Sequence, residues 1–280
     1  MKLGNSLSIK HLARLAKIFY EKDWMRNELE GEEVFNRFIN LLSGMDEEAR
    51  ELLLTLTEDF TWVNVSDYIS FFFRAFDRFM KGFSFGENRR IVLCPLLCQN
   101  DVGKCKSPDT LLYLVKANLS RLKKKYEGFD VIIRDSKGFY NMGSHPDEQT
   151  VFCFVDDFIG SGEEAKKVLD LLGDRIPKSN LAILSLIAME MGISRLQSEG
   201  YSVFAENIKK KGITGRGRNE EDELKAMEKL ELSIEVPPKF KLGYSQSESL
   251  VKMIRTPNNT FPIYWYGAEK KNVYAPFPRW

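Results

Sequence analysis

Thr150 to Leu172 reads TVFCFVDDFIGSGEEAKKVLDLL. An unbroken apolar run of this length, rich in valine and phenylalanine, marks a strand buried on both faces rather than one on a sheet edge. It runs into two aspartates, Asp156 and Asp157, then a turn of Gly160, Ser161 and Gly162, and a helix from Glu163 to Leu172 starts at once. Strand, glycine turn and helix in that order make the first half of a βαβ unit, so the reading begins from a parallel sheet covered by helices. Open parallel sheets bind ligands just beyond the carboxyl ends of their strands, and the aspartate pair is predicted at that edge.

Working outward, further strands alternate with helices. Arg89-Arg90 lead into IVLCPLL, and Ser107-Pro108-Asp109 supplies a helix cap with proline at the first helical position. The helix through Leu111 to Tyr126 ends in Lys123, Lys124 and Lys125, where cations suit the dipole. FDVIIRD (Phe129 to Asp135) is a strand, Ser136 to Gln149 a long loop, LAILSLIAM (Leu181 to Met189) a strand, Ile193 to Ser198 a helix and YSVFAE a last strand. The fold class expected is α/β, with a parallel sheet.

From Ser6 to about Met80 the apolar residues recur at helical spacing, through Leu12, Leu15 and Phe19, then Val34, Phe38 and Leu42, then Leu52, Leu53 and Leu56. Tyr68, Phe72, Ala75, Phe76 and Phe79 mark a fourth helix with Ser66 as its expected cap. Three successive aromatics, Phe71 to Phe73, spread round that helix, so at least one must face another helix, another domain or a partner. Two regions are therefore expected: a helical one over residues 1–84 and the α/β domain over 85–280. KKKGITGRGRNEEDE reads as a mobile loop at about 208–223, and a helix is expected from about Ser247 to Ile254.

The 41 basic residues against 40 acidic ones give a net charge of +1, which provides no global field for nucleic acid or membrane. No run reaches the 18 or so apolar residues of a membrane span, and the N-terminus carries no leader pattern, so a cytoplasmic protein is expected. Cys94, Cys98, Cys105 and Cys153 lack a C-x-x-C pair, and His11 and His145 do not complete zinc spacing, so no metal site of the protein's own is expected.

A glycine-serine turn opening a helix presents backbone N–H groups and a dipole to an anion. Carboxylates beside an anion cradle make sense when the ligand carries both hydroxyls and a phosphate, and a ribose 5-phosphate does. A strand-to-helix turn with one cap needs no ligand, but two carboxylates exceed what one cap requires.

VFCFVDDFIGSGEEA resembles the signature of the type I phosphoribosyltransferases. The resemblance implies that Asp156 and Asp157 hold the ribose hydroxyls of phosphoribosyl pyrophosphate and that Gly160, Ser161 and Gly162 bind its 5-phosphate. It also implies Mg2+, carried by the substrate. Where that family commonly ends its loop with a hydroxyl residue, Glu163 and Glu164 stand here. By position, Asp101, Gly103 and Lys104 fall in the pyrophosphate loop, and Lys137 or His145 in the flexible catalytic loop.

With RTPNNTFPIYW near its end, the chain resembles the phosphoribosyltransferase-like proteins of bacterial conflict systems, including anti-phage retron effectors. That implies a nucleotide or phosphoribosyl ligand and, as partners, a reverse transcriptase with its RNA–DNA product or a second effector subunit. Two functions stay open: a phosphoribosyltransferase, and a nucleotide sensor or structural subunit that keeps the fold without turnover. Direct nucleic-acid contact through Lys209 to Arg218, and a ligand or partner role for Arg255, Asn258, Asn259 and Thr260, also stay open beside solvated-loop and turn readings.

Overall fold

The computed structural model describes residues 7–140, 149–217, 219–267 and 275–279. The chain begins with α1 (Ile9–Glu21), α2 (Glu28–Ser43), α3 (Glu47–Glu58), a short strand β1 (Thr61–Trp62) and α4 (Tyr68–Gly82). Then come β2 (Arg90–Pro95), α5 (Ser107–Ala117), α6 (Leu119–Lys125), β3 (Asp130–Ile133), α7 (Ser136–Tyr140) and β4 (Thr150–Ile159). After these follow α8 (Glu163–Leu172), β5 (Leu181–Met189), α9 (Glu190–Ser198), β6 (Ser202–Lys209), α10 (Glu220–Ser233) and β7 (Val251–Lys252).

Apolar faces sort these elements into two compact units that do not follow chain order: Met1–Val63 with Lys211–Trp280, and Asn64–Lys210. In the second unit five parallel strands lie in the order β3-β2-β4-β5-β6. Every residue of β5 is buried, as continuous apolar strands require when helices cover both faces. On one face Phe152, Phe154 and Ile183 meet Val168, Leu169, Ile193 and Leu196 of α8 and α9. On the other, α4 lies on β5 and β6, and α5 lies on β4 and β2.

Helix α4 belongs with the sheet because its stripe of Tyr68, Phe72, Ala75, Phe76 and Phe79 is buried there. Each such ring contributes about 1.5–3 kcal/mol relative to leaving it in water. Phe71 and Phe73, which the stripe cannot include, are half-buried under guanidinium groups, Arg74 at 4.7 Å and Arg121 at 5.5 Å from the ring centres.

The strand order places the site. From β2 the chain passes to β3 on one side, then returns to β4 on the other. The connections leaving β2 and β4 therefore diverge, opening a crevice at their carboxyl ends.

The first unit packs α1, α2, α3 and α10 with the C-terminal segment around Phe19, Trp24, Phe38, Phe60, Trp62, Tyr264 and Phe277. Phe60 stacks on Phe277 with ring centres 5.0 Å apart, and β1 pairs in parallel with β7.

Several local expectations are corrected. A 3-10 turn, Val65–Asp67, precedes α4, so Ser66 is not its cap. The single helix expected to Tyr126 breaks at Asn118 into α5 and α6. The stretch expected as a loop over 208–223 holds the end of β6, a turn and the start of α10, whose four first-turn carboxylates suit the helix dipole. No helix forms from Ser247 to Ile254. Glu248 sits there at φ +49, its carboxylate accepting the Ile213 and Thr214 N–H groups at 3.0 and 2.8 Å, and Val251–Lys252 pairs as β7. Among the described residues no helix is long and apolar enough to cross a membrane.

Candidate functional site

Strand β4 does not stop at the aspartates. Asp156 pairs with Ser185, and the ladder continues through Phe158 with Ile187 and Ile159 with Ala188. The carboxylates thus project from the last paired stretch of a central strand, beside the crevice.

Asp157 is 4% exposed, and Tyr68, at the start of α4, donates its hydroxyl to Asp157 Oδ2 at 2.7 Å. Asp156 is half-buried; its Oδ1 accepts the Asp157 N–H at 2.8 Å, and the Ser107 hydroxyl of α5 lies 3.5 Å from the same oxygen. Burial, and then the neighbouring Asp157 charge, push Asp156 well above the ordinary carboxylic range. Burial also raises Asp157, against the opposing hydrogen bonds from Tyr68 and Ser107. Among the described residues no Lys, Arg or His pairs with either carboxylate. The pair is a double acceptor in which burial and mutual repulsion favour the protonated form.

Gly160, Ser161 and Gly162 form the turn into α8, with Gly162 at φ +78 as the helix cap residue. The turn lies flush against α9. A Cβ on Gly192 would stand 2.3 Å from the Gly160 carbonyl oxygen, and one on Gly162 would stand 3.0 Å from the Gly192 oxygen. Ser161 is buried, and its Oγ lies 3.4 Å from the Glu163 N–H, a long contact.

The two glutamates part company. Glu163 pairs with Arg195 of α9 at 3.2 Å. Glu164 is exposed, and its charge opposes ionisation of Asp156 and of Cys98 beyond β2.

After β2, Asp101 takes Lys104 at 2.6 Å and Lys106 at 3.3 Å, and the Lys104 hydrogen bond leads in holding its carboxyl below the usual range. Gly103 adopts φ +85 with open space where a Cβ would lie. Tyr140 of α7 donates to the Leu97 carbonyl at 2.6 Å and fixes the start of this loop; burial pushes its phenol up to about 12. Lys137 is exposed on α7, and His145 lies outside the described residues.

Sequence reasoning missed two residues here. Ser107, expected to cap α5, sends its hydroxyl to Asp156 instead. Tyr68 was read as one position of an apolar stripe; only the packing of α4 on the sheet reveals its phenol as a donor.

Lys211 pairs with Glu248 and Arg216 with Asp59, while Arg218 lies outside the described residues. Asn259 and Thr260 are buried in turn hydrogen bonds to Tyr244, Ser247 and Val251. His11, Glu47 and Glu51 bring three ligand-type atoms within 4.8 Å of one another. Lys10 and Arg14 already neutralise Glu51, which makes an ion-pair network the simpler account. All four cysteines are free thiols, and burial raises Cys94 and Cys153.

The family described as PRTase-CE matches residues 22–279. Among solved structures, HGPRT-ase from Leishmania tarentolae in complex with GMP is similar over 52% of this chain and 75% of its own, at 13% identity and a TM-score of 0.29. No curated protein matches the chain.

Proposed function

The chain belongs to the PRTase-CE family, and from that premise we propose that it binds a ribose 5-phosphate compound, phosphoribosyl pyrophosphate or a nucleotide, at the carboxyl edge of β2 and β4. One observation carries the reading: two adjacent desolvated carboxylates without a cationic partner stand directly before a Gly-Ser-Gly turn that opens a helix. The carboxylates would accept the ribose hydroxyls, and the N–H groups of the turn would meet the 5-phosphate. Near this edge Lys104 and Lys106 are tied to Asp101, beside the carboxyl groups of Asp156, Asp157 and Glu164. A pyrophosphate would therefore enter with its own magnesium as part of the substrate rather than as a bare anion.

In the catalytic form of this reading, pyrophosphate leaves C1 and a nucleophile joins it through an oxocarbenium-like transition state. Asp156 and Asp157 would hold the ribose and favour the developing positive charge. A second reading, a sensor or structural subunit that keeps the fold without turnover, is favoured by the engaged lysines of the Asp101 loop and by the Glu164 charge that opposes ionisation of Asp156. Either form would serve the anti-phage role that the resemblance to retron effectors implies, with a reverse transcriptase and its RNA–DNA product or a second effector as partner.

The test is calorimetric titration of phosphoribosyl pyrophosphate with magnesium into wild type and the Asp156→Asn, Asp157→Asn double variant. Losing two charge-assisted hydrogen bonds is expected to weaken binding about a hundredfold or more. Equal affinity in the folded variant, or no binding by wild type even with its partners added, would sink the reading.

A further inference from the structure

The carboxylate pair is asymmetric in a way the family signature does not explain. Tyr68 comes from α4, an element before the first strand of the sheet, and its ring is fully buried. Its hydroxyl donates to Asp157 Oδ2 at 2.7 Å. Asp156 receives no such short donor from another element: its Oδ1 accepts its neighbour's N–H at 2.8 Å, the Ser107 hydroxyl lies 3.5 Å away, and its carboxyl shares a hydrogen bond with that of Asp157. From α8 it meets the repelling charge of Glu164. Ser185, its partner on β5, donates its own hydroxyl to the Ile187 carbonyl at 2.7 Å and is not directed to it.

From this geometry we infer that Tyr68 is a positioning residue. It fixes Asp157 on the α4 side of the strand as the charged member of the pair, leaves Asp156 to meet a diol, and couples diol binding to release of one proton. The ligand part of this inference rests on the ribose reading above; the asymmetry of the pair does not.

The physical chain is short. Two adjacent carboxylates out of water cannot both ionise cheaply, and a short phenol donor decides which one does. The proton then stays on Asp156. An arriving diol brings two O–H donors, and a carboxylate accepts them better than a carboxylic acid does, so the Asp156 O–H bond breaks and the proton goes to solvent. Among the described residues the side chains facing the pair are Tyr68, Ser107 and Glu164, and none is an amine or imidazole that would hold that proton.

Carboxyl-carbon NMR of aspartate-labelled protein, titrated without ligand, reads the pair directly. Wild type is expected to show one aspartate titrating above the ordinary range. Tyr68→Phe, which keeps the ring, should move the lower step of the pair, that of Asp157, up by about one pH unit, and Asp157→Asn, which removes the repelling charge, should move the upper step down. Identical titrations in wild type and Tyr68→Phe, or all aspartates titrating in the ordinary range, overturn the inference.

Calorimetry of phosphoribosyl pyrophosphate with magnesium, in two buffers of different ionisation heat, then counts protons. Release close to one proton is expected below neutral pH, and Tyr68→Phe should bind about tenfold more weakly near pH 5, where its Asp157 takes up a second proton, yet recover by pH 9. A merely structural tyrosine would weaken binding equally at every pH, which would overturn the coupling. If the NMR asymmetry is present but wild type binds no donor at any pH, the positioning role stands and the ribose reading falls.

Discussion

Glu231 of α10 is fully buried; its Oε2 accepts the Leu242 N–H at 2.9 Å, and Oε1 has no partner among the described residues. Burial, then the nearby Glu228, raise its carboxyl from 4.5 to about 7, against the Leu242 bond. Because the folded state holds this proton more tightly than the unfolded chain, stability falls as pH rises from about 4.5 to about 7 and is flat above. That rise corresponds to about 3 kcal/mol. Glu231→Gln is expected to gain up to about that much on wild type between pH 5 and pH 8, measured by denaturant unfolding at both values. A difference unchanged between the two pH values would show that Glu231 titrates normally. At this scale the sequence reveals chemical types but not environments. Asp156 and Asp157 stand out because carboxylates end an apolar run, whereas Glu231 and Tyr68 look like ordinary residues of amphipathic helices until neighbours from elsewhere in the chain close over them.

Elements were legible where a local period persists. All five strands of the parallel sheet follow from apolar runs, and the Gly160-Ser161-Gly162 turn follows from its glycines. What the period cannot convey is close approach between elements. Gly192 lies within α9, a position where glycine costs helix stability, and its reason is the Gly160 carbonyl pressed against it. Gly192→Ala is expected to cost about 1–3 kcal/mol of stability, because backbone rather than a flexible side chain must give way. It should also weaken any phosphate ligand by shifting the 160–162 turn. Gly128→Ala, where a Cβ meets nothing within 4 Å, is the control and should leave both unchanged. Thermal melting and ligand calorimetry on the two variants decide the matter; a Gly192→Ala protein matching the control would remove the flush contact from the account. The same limit explains the expected helix at Ser247 to Ile254. Its apolar spacing is genuine, but Glu248 is drawn away by the Ile213 and Thr214 N–H groups and by the Thr214 hydroxyl at 2.6 Å, and a residue at φ +49 ends helical continuity.

For the whole molecule, the partition of the chain follows burial rather than sequence neighbourhood. Nothing local in FPIYWY says that Ile263 and Tyr264 fill a core with Phe38, Leu53 and Phe60, yet these side chains are each 1% exposed or less. The hydroxyls of Thr57 and Tyr264, 3.0 Å apart, add a polar contact within that core. Truncation after Lys210 would therefore strip α1 to α3 of α10 and of the C-terminal aromatics, including the stacked Phe277. Losing even one such ring costs about 3–5 kcal/mol, comparable to a large part of a domain's total stability. By contrast residues 64–210 carry the whole parallel sheet with helices on both of its faces. The fragment 64–210 is expected to unfold cooperatively with the circular dichroism of an α/β protein. The fragment 1–210 is expected to show the same transition, with its first 63 residues open to limited proteolysis. If those residues resist protease without the C-terminal segment, the N-terminal helices close a core of their own and the shared aromatic cluster is dispensable. If the 64–210 fragment fails to fold while the full chain does, the sheet depends on the rest of the chain for stability despite having both faces covered.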